Sequence, residues 1–142
     1  MDELSVNFEP FVDEAVRQFV VDGVDNHNIA ATGMAAWFPV NFILRSDQGD
    51  VVGGLLGYVW GGWLYISHLW VAEVVRRQGH GARLLAAAET YAKSRGCVAV
   101  TLETHSFQNR PFYERFGYEV FATLADNPVG HAKFFLRKHL AS

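Results

Sequence analysis

The sequence predicts a mixed α/β (α+β) fold, a largely antiparallel sheet flanked by helices. Three β-rich runs, WFPVNFILRS, VVGGLLGYVW and WLYISHLWV, follow one another with only DQGD and Gly61-Gly62 between them. Short glycine-bearing turns of this kind make an antiparallel meander. After Val71 the alternation gives way to helical spacing, and the apolar run CVAVTLE follows. Strand, helix and strand in that order force a parallel pair.

The elements follow in chain order. From Phe11 to about Asp22, Phe11, Val12, Ala15, Val16, Phe19 and Val20 recur at three and four, which predicts an amphipathic helix. The stretch Asp22 to Gly33 reads as a polar loop or a second short helix. Pro39 suits an early or edge position in the first strand. From roughly Gly79 to Ser94, Leu84, Leu85, Ala88 and Tyr91 share one helical face, and Gly96 ends the helix as a C-cap glycine does. RPFYERF, opened by Asn109 to Pro111 and closed by Gly117, is a short helix with proline in its first turn. YEVFATL and HAKFFLRKHL form the last strands around a turn made from DNPVG.

With 142 residues, half of them apolar, and no repeat or low-complexity linker, the expectation is one domain, 1–142, with its own core. A net charge of −3 argues against a protein whose business is coating nucleic acid. The single cysteine, Cys97, opens an apolar run and reads as buried, which leaves no internal disulfide and no cysteine metal cluster. No metal is expected. MDELSVNFEP lacks the order of a signal peptide and no apolar run reaches membrane length, so the expected location is cytoplasmic, with no membrane partner.

The chemistry concentrates in RRQGHGARLL. Arg76-Arg77-Gln78-Gly79-His80-Gly81 lies between a strand and a helix, where backbone N–H groups converge and the helix dipole adds partial positive charge. Glycine at 79 and 81 lets an anion approach the backbone, and the arginines add charged donors. Ordinary turn chemistry is the plain alternative. A dinucleotide fingerprint is disfavoured, because the loop follows an antiparallel meander and lacks a third glycine, and no GK[ST] follows for a Walker loop.

Arg76, Gly79 and Gly81, preceded by LWV, resemble the [Arg/Gln]-x-x-Gly-x-[Gly/Ala] block of the GCN5-related N-acetyltransferases (GNAT). FYERFGY, Phe112 to Tyr118, resembles the family's second block. The resemblance spans roughly residues 40 to 138. It implies a sheet of about six to seven strands splayed between the fourth and fifth. It also implies acetyl-CoA as cofactor, its pyrophosphate held by amides among Arg76, Arg77, Gln78, Gly79, His80, Gly81 and Ala82. The pantetheine arm would run beside Leu69, Trp70 and Val71. The same strand end would supply the N–H that polarises the thioester carbonyl. Ser106 and Asn109 stand where the family usually has asparagine and alanine, and both can still donate hydrogen bonds to pantetheine.

Under the resemblance Tyr113 is the general acid for the departing thiolate, since a phenol is protonated at neutral pH. A core aromatic is the alternative. Tyr65 and Ser67 fall where the family faces its acceptor, and neither is a carboxylate. His68 is the candidate base, provided a bulge turns it from the opposite face; otherwise it is a packed core histidine. Glu73 reads as a solvated charge. Glu103 and His105 could relay through water, and His131 with Asp126 belongs to the last turn. Water could also take the proton.

The implied activity is acetyl-CoA-dependent N-acetyl transfer to a primary amine of a small molecule or peptide, by direct attack on the thioester. A non-catalytic acyl-CoA sensor of the same fold is the alternative. Asp22, Asp25 and Asp126 are candidates to attract the amine, and Trp37, Trp60 and Trp63 to line its pocket. Edge strands near the C-terminus raise the expectation of a homodimer.

Overall fold

The computed structural model describes residues 3–141. They fall into two compact units divided between Ala36 and Trp37.

The first unit is built on α1 (Glu14–Thr32). The helix begins later than the apolar spacing suggests and absorbs the Asp22 to Gly33 stretch. Gln18 Nε2 donates to Asp22 Oδ1 at 2.7 Å one turn on, and Gly33, at φ 70°, closes the end by donating to the Ile29 carbonyl at 2.8 Å. The polar residues that read as a loop are therefore the C-terminal half of a longer helix. None of its residues is buried.

The second unit is a six-stranded sheet in the order β1-β2-β3-β4-β6-β5 with two helices. β1 (Phe38–Arg45), β2 (Val51–Trp60) and β3 (Trp63–Val71) form the predicted meander. A 3-10 turn, Glu73–Val75, leads to α2 (His80–Ser94). β4 (Ala99–His105) follows, then α3 (Arg110–Arg115), β5 (Glu119–Ala125) and β6 (Ala132–His139). Among the described residues only the β3–β4 pair is parallel, as the strand–helix–strand order requires.

One face of the sheet carries the core. Val40, Leu55, Leu64, Val100 and Leu136 are buried with Leu84, Leu85, Ala88 and Ala92 of α2, the stripe spaced at three and four in the sequence. Burying each leucine is worth about 2–3 kcal/mol, so this helix is held mainly by its apolar stripe. Cys97 is buried in the same cluster, and its thiol is pushed up by desolvation against a smaller opposing pull from Arg95.

Two features of β3 shape the other face. First, Leu56 pairs with His68 and Gly57 with Ile66, which leaves Ser67 as a bulged extra residue. Before it Leu64 and Ile66 are buried, and after it Leu69 and Val71 pack on the core, so the bulge reverses the parity of the strand. Gly57 permits the close approach, because a Cβ there would collide with the Tyr65 carbonyl oxygen. Second, β3 and β4 pair only from Trp63 to Ile66 against Ala99 to Leu102. Beyond that the strands part, at the place the resemblance assigns to its fourth and fifth strands.

Candidate active site

The loop between β3 and α2 is shaped by positive backbone angles. Arg77 lies at φ 63° and Gly79 at φ 82°, in the left-handed region that glycine enters without a Cβ clash. Gly79 is the N-cap of α2 and supplies no side-chain cap. Among the described residues, the amides of Arg77, Gln78, Gly79, His80, Gly81 and Ala82 donate to no group of the chain; the first amide to do so is Arg83, to the Gly79 carbonyl at 3.0 Å. Six consecutive donors at a helix N-terminus form a cradle for an anion such as a diphosphate.

Cationic side chains surround this cradle. Arg76 Nε donates to the Val71 carbonyl at 2.8 Å, tying the loop to the end of β3. Arg83 Nη1 donates to His80 Nδ1 at 3.0 Å; a guanidinium cannot accept, so that nitrogen carries a lone pair. Arg83 is a cation at this site that motif reading passes over. Gly81 keeps the helix start open, since a Cβ would stand 3.3 Å from the Phe112 ring.

Where β3 and β4 separate lies a cavity of about 610 Å³. Its wall includes Tyr65, Ser67, His68, Glu103 and His105, which the sequence singled out, and Tyr58, Gln108, Phe121 and Phe135, which it did not. Tyr58 was within reach of counting: a turn on Gly61-Gly62 that pairs Trp60 with Trp63 sets Tyr58 opposite Tyr65. The two phenylalanines had no comparable signal, because a bulge between Val120 and Ala122 shifts the β5 register.

Two histidines on the cavity wall share a tautomer. Ser67 Oγ stands 3.0 Å from the Leu56 carbonyl oxygen, a separation that requires the hydroxyl proton to lie between two acceptors. The same Oγ therefore accepts at 3.1 Å from His68 Nδ1–H, leaving Nε2 of the neutral ring with its lone pair. Likewise Gln108 Oε1 accepts from the His105 backbone N–H at 2.7 Å and so must be the carbonyl oxygen of the amide. His105 Nδ1, at 3.0 Å, donates to it. The bulge at Ser67 thus puts His68 on the face of Tyr65, as its candidacy requires.

Tyr113 sits on α3 with its ring edge-on to Phe112 and Tyr118 at 5.1 and 6.0 Å. Burial raises its phenol above the ordinary value, so it holds its proton through neutral and mildly alkaline pH. Next to it Tyr118 O–H donates to Glu89 Oε2 at 2.8 Å, and Lys138 Nζ donates to Glu89 Oε1 at 2.8 Å. This network joins α2, the turn after α3, and β6.

The other predicted residues are placed as follows. Ser106 Oγ accepts from Ala132 N–H at 3.0 Å while its own N–H donates to the Ala132 carbonyl at 2.8 Å. Asn109 caps α3, its Oδ1 accepting from Phe112 N–H at 3.4 Å. Each keeps a donor for another partner, the Ser106 hydroxyl and the Asn109 amide. Leu69, Trp70 and Val71 lie on the β3 segment that has no partner on its β4 side. His131 is edge-on to Phe107, which stacks on His105. Asp126 Oδ1 accepts from Gly130 N–H at 3.2 Å as turn chemistry. Trp37, Trp60 and Trp63 are not on the cavity wall, and Asp22 and Asp25 belong to α1. Among the described residues no group of three or more His, Cys, Asp or Glu could hold a metal ion, and no helix is long and apolar enough to cross a membrane.

Known proteins match this arrangement. The acetyltransferase (GNAT) family model matches residues 8–118. An acetyltransferase of Agrobacterium fabrum is 32% identical over 126 residues, covering 89% of this chain and 92% of the relative. Blasticidin-S acetyltransferase of Streptomyces morookaense is 40% identical over 95 residues, 66% of this chain and 70% of that protein. The crystal structure of an acetyltransferase from Bacillus cereus superposes with a TM-score of 0.82 at 28% identity, covering 94% of this chain and 98% of that one. The chain belongs to the acetyltransferase (GNAT) family and is an N-acetyltransferase.

Proposed function

We propose that the protein moves an acetyl group from acetyl-CoA to a primary amine of a small molecule, with the whole chain, 1–142, acting as one acetyltransferase domain. The observation that carries this is the run of unengaged amides from Arg77 to Ala82 set beside an opened sheet. The residues fit the cofactor: the amides and Arg76 to His80 would hold its diphosphate, and the free edge of Leu69 to Val71, with Ser106 and Asn109, its pantetheine arm. Bound acetyl-CoA supplies an activated acetyl thioester, whose C–S bond breaks as the acceptor nitrogen bonds to the acetyl carbon. Main-chain N–H groups at the end of β3 polarise the carbonyl. His68 Nε2 takes the proton that the amine must lose. Tyr113 O–H gives a proton to the departing sulfur.

A cavity of about 610 Å³ falls in the range of small-molecule sites, and the blasticidin-S acetyltransferase relative supports the same acceptor class over a peptide. We further take the protein to act in the cytoplasm as a homodimer, with the β5 edge as a surface for pairing.

Calorimetric titration with acetyl-CoA, followed by thiol release across a panel of amines, tests the reading. Micromolar binding that Gly79→Glu abolishes, together with amine-dependent release, is expected. Absence of binding at millimolar cofactor overturns it, and tight binding without release for any amine identifies a sensor instead.

A further inference from the structure

We propose that the acceptor is a monoamine carried on a flat ring, held between two pairs of aromatic side chains, a proposal that rests on acetyl transfer at this cleft. Tyr58 and Tyr65 come from β2 and β3, and Phe121 and Phe135 from β5 and β6. The sheet order sets β4 between these pairs, so Thr101 and Glu103 form the floor and the aromatics the flanks. The tyrosine rings stack face to face, parallel within 5° at 4.9 Å between centroids, so the pair forms one stack with a flat outer face. The phenylalanines lie 6.3 Å apart at 53°, a tilted surface facing them across β4. Aromatic faces favour offset stacking with another ring beyond what area alone gives. Two such surfaces with a cavity between them therefore select planarity and not merely apolar bulk.

Charge decides between one amine and several. Among the described residues Glu103 is the one carboxylate on the cavity wall, and its Oε2 is already paired with Lys133 Nζ at 2.7 Å. Lys133 and Arg137 also stand 5.4 and 5.0 Å from the Phe135 and Phe121 ring centres, and Arg137 Nε pairs with Glu119 Oε1 at 3.1 Å, so the charges bordering the phenylalanine flank are already matched. The described wall holds no unpaired anion for a second ammonium. A polyamine would bring in a second ammonium without a partner, whereas a single amine delivers its proton to His68 as the acetyl bond forms.

Three probes separate these possibilities: phenylethylamine, cyclohexylethylamine, which has similar size and one charge but no flat ring, and spermidine. Each is titrated calorimetrically into CoA-loaded protein and assayed for thiol release with acetyl-CoA. Phenylethylamine is expected to bind about tenfold more tightly than cyclohexylethylamine, with spermidine weakest. Tyr58→Leu and Phe121→Leu should each remove most of that preference. Both positions are partly exposed, at 37% and 47%, and an unchanged melting curve shows that the fold is kept. Equal binding of the two ring amines, a preference for spermidine, or a preference that survives in both folded variants overturns the proposal. Thiol release with any amine in those cases leaves acetyl transfer standing. A ring preference in binding without thiol release overturns acetyl transfer instead and leaves the ring site intact.

Discussion

Ser67 accepts a 3.1 Å hydrogen bond from His68 Nδ1 while giving its own proton to the Leu56 carbonyl, and that chain fixes which nitrogen of His68 is free. The direction predicts a graded response to substitution. His68→Ala should lower kcat by about 10²–10⁴, the usual worth of a positioned base. Ser67→Ala should lower it only about fivefold, the equivalent of about 1 kcal/mol for one hydrogen bond. Affinity for acetyl-CoA should hold steady in both. Steady-state kinetics beside cofactor titration reads both effects, and equal losses in the two variants would mean that Ser67 does more than orient the ring.

Tyr113→Phe keeps the ring that packs against Phe112 and Tyr118 and removes only the O–H. The expected outcome is a kcat lower by about 10²-fold with an unchanged melting temperature and unchanged cofactor affinity. Turnover at the parent level would return Tyr113 to a packing role.

Gly79 sits at φ 82°, and a Cβ added there would meet no atom of the chain within 4 Å, so the strain of a larger residue is conformational and not steric crowding. Gly79→Val should cost about 1–2 kcal/mol of folding stability and weaken CoA at least tenfold by turning the amide run. Thermal melts and calorimetry measure the two effects separately.

Tyr118 predicts a pH dependence. Burial, then the charge of Glu89 and the hydrogen bond to it, then Tyr113, push its phenol far above the ordinary value of 10.0. At pH values above 10 the unfolded chain releases this proton and the folded one retains it, so the unfolded state gains. The stability contribution is complete below pH 10 and declines as pH rises further. Melting temperature should therefore fall steeply on the alkaline side, and Tyr118→Phe should flatten that slope. The same variant should lose about 1–3 kcal/mol at neutral pH, because Glu89 loses a buried donor.

Leu85 is fully buried between α2 and the sheet. Leu85→Ala should destabilise the protein by about 2–5 kcal/mol, readable as a lower urea midpoint, with the kinetics of the surviving folded fraction unchanged.

Much of this was legible in the residues themselves. Alternation and glycine turns located β2 and β3 to the residue, and a proline in the first turn with glycine after the last marked α3. The loop before α2 was legible as a glycine-bearing turn between strand and helix, because a positive φ at a helix start favours one residue type. α1 was misjudged at its C-terminal half because Asp22 to Asn28 is polar, and solvent-facing helix leaves no apolar spacing to follow. The cavity was legible only in part. Tyr65, Ser67 and His68 lie on one strand, whereas Phe121 and Phe135 reach them through a β4–β6–β5 register that no local pattern encodes. The Glu89–Tyr118–Lys138 network joins residues from three separate elements and has no local pattern at all.

The single extra residue at position 67 links two things that otherwise have no reason to vary together. Flattening the bulge while Ser67 stays in the chain would turn everything downstream to the opposite face, driving an imidazole inward among leucines and pushing Leu69 and Val71 out toward water. A change that absorbs Ser67 into a regular ladder should therefore abolish proton acceptance and interior packing in the same stroke, whereas deleting Ser67 outright keeps both facings. Loop lengths elsewhere in the chain can drift, but the register of this strand is under a double constraint.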